Sequence, residues 1–295
     1  MTSSLMVPQF FILLFAGMWQ SAPPAQSITS GPGEIRALAL LEPCPEFGAE
    51  TPTSQKTSQA TAELSRKDLS QDSLLRLAAG LGNSCDRSAI DPLIDLLGHS
   101  SEDVRVAVIE ALGRIGSPDG VGPLSLIVNT ESNRVKLAIA RTLLSVRRGN
   151  ARAMALNYVA SPAIELRDEE DMRIRGSVIL TFNELTNNSF NQKAIIFLRN
   201  YLSLPDPKMV KIAEEVMRKL PETRNGKREL IGILKHRNDP QIRVWVCSWL
   251  GRLQIVEGRD ALTEAAEKDV SPLVRTAAVE ALKSIDRPSA AATRP

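Results

Sequence analysis

From about Thr61 onward, apolar residues recur at three- and four-residue spacing, the signature of helices with one buried face. The clearest stretch is 89–116. A short helix opens with Asp91 and Pro92, carries Leu93, Ile94, Leu96 and Leu97, and stops at Gly98, His99 and Ser100. Asp then Pro is a helix-start arrangement. A second helix begins near Ser101, Glu102 and Asp103, with acidic groups at the positive end of its dipole. Val104, Ala107, Val108, Ala111, Leu112 and Ile115 then fall on one face, and Gly116 with Pro118 ends it.

This two-helix outline repeats. Pro123 and Leu124 stand 31 residues after Pro92 and Leu93, the same offset that separates Lys136 from Arg105. Ala277, Ala281, Leu282 and Ile285 follow Arg275 at the steps by which Ala107, Ala111, Leu112 and Ile115 follow Arg105. Seven basic residues, each preceded by an apolar one, mark the units: Arg76, Arg105, Lys136, Arg175, Lys211, Arg243 and Arg275, at gaps of 29, 31, 39, 36, 32 and 32. A period in this range predicts an all-α solenoid of about seven stacked two-helix units, each burying its apolar face on its neighbours.

Asp103, Val104 and Arg105 followed by Ala111, Leu112, Gly113, Arg114, Ile115 and Gly116 resemble the HEAT repeat, in its short bacterial form often called phycobilisome-lyase-like. Asp239, Ile242 and Arg243 with Leu250, Gly251, Arg252 and Leu253 match well, and Asp269, Val274, Arg275, Ala281 and Leu282 also fit. The units around Arg175 and Lys211 lack the Ala-Leu-Gly ending. The resemblance covers about 61–287 and speaks for the fold more than for function. It implies that Asp and Arg residues tie adjacent loops together, which makes a repeat-stabilising ladder of Arg76, Asp103, Arg105, Lys136, Arg175, Lys211, Asp239, Arg243, Asp269 and Arg275. It also implies that second helices line a concave groove able to hold a helix or an extended segment of another protein.

Composition narrows the setting. The first 33 residues carry no charged side chain, and Leu5 to Trp19 is mostly apolar, with small and polar residues after it. Residues 1–27 therefore read as a signal peptide, with the protein exported to the periplasm, the cell envelope or the medium. The alternatives are an uncleaved membrane anchor, for which the run is short of the ~20 residues that span a bilayer, and a misassigned start with a cytoplasmic chain. Residues 28–60, rich in Ser, Thr, Pro, Gly, Gln and Glu, are expected to be a low-order linker, and deleting 28–55 is expected to leave thermal melting nearly unaltered. The array then occupies 61–287, and 288–295 forms a disordered tail.

Lys and Arg number 36 against 34 Asp and Glu, a formal charge of +2, and aromatics make up 4%. Neither a basic nucleic-acid groove nor a base-stacking platform is expected. Cys44 and Cys85 are a candidate disulfide, or alternatively two free thiols, and Cys247 reads as a buried small hydrophobe. His99 and His236 sit near the ends of first helices without other ligands, so no metal is expected.

There is no glycine-rich phosphate loop, GxSxG, HExxH or CxxC. The chain is thus expected to be a non-catalytic scaffold without a cofactor, binding another protein. Candidate partner-binding residues are the cations Arg141, Arg147 and Arg148, which acidic residues at 165–171 could instead neutralise, and Trp245 and Trp249, whose spacing equally suits a core. A bilin lyase-like or otherwise enzyme-assisting role is the alternative, and membrane contact is expected only through an uncleaved N-terminal segment.

Overall fold

A computed structural model describes residues 35–44, 55–64, 66, 68–146, 149–160, 168–185 and 188–287. The leader, the tail, Arg147, Arg148 and residues 161–167 lie outside the described residues. Within them are fourteen α-helices and no strand. These pair as α1 (Gln55–Leu64) with α2 (Gln71–Ser84), α3 (Ile90–Asp95) with α4 (Glu102–Ile115), and α5 (Val121–Ile127) with α6 (Asn133–Ser145). Next come α7 (Ala151–Ala160) with α8 (Glu169–Glu184), α9 (Asn188–Tyr201) with α10 (Pro207–Lys219), α11 (Gly226–His236) with α12 (Pro240–Arg252), and α13 (Arg259–Lys268) with α14 (Pro272–Asp286). The fold is an α-solenoid of seven two-helix units.

Local chemistry fixes where the second helices start. Ser70, Ser101, Ser132, Asp168, Asp206 and Asp239 are N-caps whose side chains accept an N–H of the first turn. Pro207, Pro240 and Pro272 occupy the opening turn, where a missing N–H costs nothing. Gly116 ends α4 at φ 70°, the left-handed conformation glycine adopts freely.

Second helices stack in order from α2 to α10, and α12 stacks on α14. The approach is closest where both helices carry a small residue. A Cβ on Gly82 would stand 2.8 Å from the Ala111 Cα, and one on Gly251 would stand 2.8 Å from the Ala281 Cα. Between α10 and α12 the direct stack lapses, and α11 carries the join by packing on α8 and α9. The shared core includes Val104, Val108, Leu112, Val135, Ile139 and Leu143, all buried.

The low-order linker expected at 28–60 is not what the structure contains in its described parts. Residues 55–60 belong to α1, and 35–44 form an extended segment with Ile35, Leu38 and Leu41 buried. The apolar stretch Ala37 to Leu41 is thus not isolated in a loop. Its burial repeats every third residue, a period of neither a helix nor a strand.

Because each core is shared between neighbours, Leu112→Ala should cost about 2–5 kcal/mol, read as a lower denaturation midpoint. An unchanged midpoint would contradict the stacking of α4 on α2 and α6.

Candidate functional site

Residues 35–44 lie across four successive second helices, running against the order of the array. At every third residue a backbone N–H is taken by the next helix. The Ile35 N–H faces Glu215 Oε1 on α10 at 3.4 Å, and the Leu38 N–H donates to Thr181 Oγ1 on α8 at 2.7 Å. The Leu41 N–H donates to Ser145 Oγ on α6 at 2.8 Å, and the Cys44 N–H donates to the Arg114 carbonyl of α4 at 2.8 Å. Both hydroxyls donate their own hydrogen to the carbonyl four residues back, Ser177 for Thr181 and Arg141 for Ser145, leaving oxygen lone pairs for the segment.

Apolar seats match this register. Ile35, Leu38 and Leu41 are 1%, 7% and 9% exposed, while Arg36, Ala39 and Glu42 between them face solvent. Gly113 makes room for Leu41, since a Cβ there would stand 2.5 Å from its Cδ1. Arg141 Nε donates to the Ala39 carbonyl at 3.0 Å while its Nη1 meets Glu110 Oε1 at 3.1 Å. The segment ends in a disulfide from Cys44 to Cys85 at the C-cap of α2, with Cα atoms 5.7 Å apart. Beside it, a cleft of about 760 Å³ opens between Leu40 to Pro43 and Arg152, Glu184 and Leu185.

The basic ladder divides when counted from the N-caps. Arg105, Lys136, Arg243 and Arg275 each stand four residues after Ser101, Ser132, Asp239 and Ser271. Arg105 Nη1 donates to the His99 and Ser100 carbonyls, and its Nη2 meets Glu131 at 3.0 Å. Arg243 repeats this with the Arg237 and Asn238 carbonyls and a two-point bond to Asp269, both contacts at 2.8 Å. Arg275 takes the Asp269 and Val270 carbonyls. Arg105, Arg243 and Arg275 therefore brace their own loops, and Arg105 and Arg243 also reach the next one, whereas Lys136 turns inward to Asp171.

Arg76 and Lys211 are different. They stand six and five residues after their caps Ser70 and Asp206, on the solvent side, and Arg76 reaches only Ser73 Oγ within its own helix. The ladder position itself is Leu74 or Val210, so these two are corrected out of the ladder. Asp103 joins neighbouring units by accepting from Gln71 and Arg134, while Asp239 caps α12.

The unit around α8 replaces the brace with a buried charge cluster. Arg175 stands seven residues after its cap Asp168, inside the core. Asp171 accepts from Lys136 Nζ at 2.9 Å, Tyr158 Oη at 2.7 Å and Arg175 Nε at 3.2 Å, with all four side chains buried. The Arg175 guanidinium lies 4.4 Å from the Tyr158 ring centroid and donates to the Tyr158 carbonyl. Burial pushes the Asp171 carboxyl up, but Arg175, Lys136 and Tyr158 outweigh it and hold it below the ordinary carboxylate range.

Other candidates settle as structure. Trp249 is 4% exposed under the Arg252 guanidinium, 4.3 Å from its ring centroid, and Trp245 is half-buried. Trp249 is thus core and not an exposed anchor. Arg134 pairs with Asp103 and Glu102, so the cations of α6 are largely neutralised locally. Burial raises the Cys247 thiol to about 12, which suits a small hydrophobe. Among the described residues no group of three or more His, Cys, Asp and Glu is placed to hold a metal, and no helix is long and apolar enough to cross a membrane.

The fold and this surface define an α-solenoid repeat protein. The model of the HEAT-repeat family matches residues 58–144 and 228–293, 153 of the 295 residues, and the chain belongs to that family. Among solved structures it is similar to the complex of CpcE and CpcF of phycocyanin lyase from Nostoc sp., at 18% identity over 82% of this chain and 99% of that one, TM-score 0.37. A designed armadillo repeat protein in complex with the peptide (KR)4 shows 17% identity over 79% and 100%, TM-score 0.34. Human deoxyhypusine hydroxylase in complex with glycerol shows 14% over 78% and 96%, TM-score 0.36. No curated protein matches the chain.

Two outcomes test this geometry. Asp171→Ala strands Lys136 and Arg175 in the core and should cost about 3–5 kcal/mol. Since the folded Asp171 pKa is depressed, its stabilisation is complete above the unfolded value of about 4 and is lost as pH falls below that. Acid titration of unfolding should therefore show a smaller acid-induced loss in the variant than in the wild type. Cys85→Ser opens a loop with a sequence separation of 41 and should cost up to about 4 kcal/mol on a chain-entropy argument. Equal stability of variant and wild type under oxidising conditions would contradict the cross-link.

Proposed function

We propose that the protein is a non-catalytic scaffold, exported from the cytoplasm, that holds a partner polypeptide on the face of its second helices. The observation that carries this reading is the seat of residues 35–44. There, side chains from successive helices accept consecutive every-third amides of an extended chain, which is how a surface binds backbone independently of side-chain identity. A surface that does this for its own segment has the groups to do it for another.

Export is supported by two independent features. The first 33 residues are free of charge around an apolar run. The Cys44 to Cys85 cross-link suits an oxidising compartment. In support of non-catalytic action, the buried Lys136, Tyr158 and Arg175 side chains all turn to Asp171 inside the core.

The test is affinity capture with residues 28–295 from native cell-envelope and secreted fractions, read by mass spectrometry. Stoichiometric recovery of an exported protein is expected. Recovery of only a cytoplasmic protein, from a parallel lysate, would overturn the export assignment.

A further inference from the structure

Residues 35–44 belong to no repeat. No helix interrupts them, and the second helices beneath them stack on one another directly from α4 to α10. The stack beneath the segment is therefore built without it. The segment's holds include three apolar side chains, four backbone amides, one arginine bond and a covalent link.

The geometry of the seat specifies its occupant. Chain with polyproline II spacing advances about 3.1 Å per residue, so three residues cover about 9 Å, and packed helices stand roughly 8–10 Å apart. An extended chain crossing the second helices thus meets one helix per three residues, in step. Thr181 and Ser145 read amides, which every residue but proline offers at those positions. Beneath them Ile35, Leu38 and Leu41 are buried, seats that favour an apolar side chain over a charge.

We propose that residues 35–44 are an exchangeable occupant, and that the groove across α4, α6, α8 and α10 docks an extended segment of a second polypeptide bearing uncharged apolar side chains at every third position. This rests on the scaffold reading and narrows it to one surface, one backbone shape and one register. The Cys44 to Cys85 disulfide is the latch. Both cysteines are half-exposed, so a dithiol can reach them. In that exchange the dithiol becomes a disulfide and each cysteine becomes a thiol. With the latch closed, Cys44 stays pinned at the end of α2 and the segment is held over its seat. Once it is open, the tethered segment competes at an effective concentration on the order of millimolar, which a partner with a longer footprint can overcome.

The experiment uses the full chain carrying Cys44→Ser, which frees the Cys85 thiol while keeping every apolar seat. Synthetic peptides are incubated with it in glutathione redox buffer, and capture at Cys85 as a mixed disulfide is mapped by mass spectrometry. One probe copies residues 35–44. A second has an unrelated sequence with Leu at positions 1, 4 and 7 and Cys at position 10. A third copies the first with Leu38→Asp and Leu41→Asp. Capture of the first two should exceed that of the third by at least roughly ten-fold, because two apolar seats are then lost to charge. That preference should shrink several-fold in a chain also carrying Gly113→Val, which fills the Leu41 seat while leaving the Leu38 seat intact.

Equal capture of all three probes would overturn the proposal. Capture of the native-sequence probe alone would show a dedicated strap and overturn the foreign occupant. A dimer of the Cys44→Ser chain that exchanges segments would overturn it in favour of a second copy. Failure here with success of envelope capture would place the scaffold's partner on another face, so the two readings fail separately.

Discussion

The separation between successive second helices is the constraint from which the rest follows. Small residues at Gly82 and Ala111, and again at Gly251 and Ala281, let these helices close to the limit of backbone contact. That separation makes the apolar core continuous from one unit to the next. Across α4 to α10, helices packed roughly 8–10 Å apart set a ruler along the face of the second helices, and an extended chain with a three-residue period is commensurate with it.

Loops between first and second helices are held by a different device. Arg105 and Arg243 gather two carbonyls of their own loop and a carboxylate of the next, so they tie units at the edge while the core ties them at the centre. Where the longer unit around α8 breaks this pattern, Lys136 turns inward and meets Asp171 and Arg175 in a buried cluster. Such a cluster adds little net stability over apolar packing but penalises any rearrangement that separates its members. It lies on α6, α7 and α8, toward the N-terminal ends of the helices that carry Ser145 and Thr181 further along.

Much of the fold was legible in the sequence because it is periodic. Val104, Ala111, Leu112 and Gly116 announce helix, face and end by local rules, and their recurrence announces the stack. The ladder was read less accurately. Pairing each basic residue with the apolar one before it admitted Arg76 and Lys211, whereas the N-cap residues Ser70 and Asp206 put Leu74 and Val210 at the bracing position. The groove was hardly legible at all. Ile35, Leu38, Leu41 and Cys44 keep a period of three, which neither helix nor strand templates register, amid residues whose composition reads as linker. The hydroxyls that receive them, Ser145 and Thr181, look like ordinary interruptions of an apolar helix face. Only their contact with a segment more than a hundred residues away gives them a purpose.

Amide hydrogen exchange resolved to single residues in the oxidised full-length protein tests the central claim most directly. The account predicts alternation within one short segment: slow exchange at Leu38, Leu41 and Cys44, whose N–H groups are held by α8, α6 and α4, and fast exchange at Ala39 and Leu40 between them. Uniformly fast exchange from Ile35 to Cys44, beside protected helices α4 to α10, would contradict it.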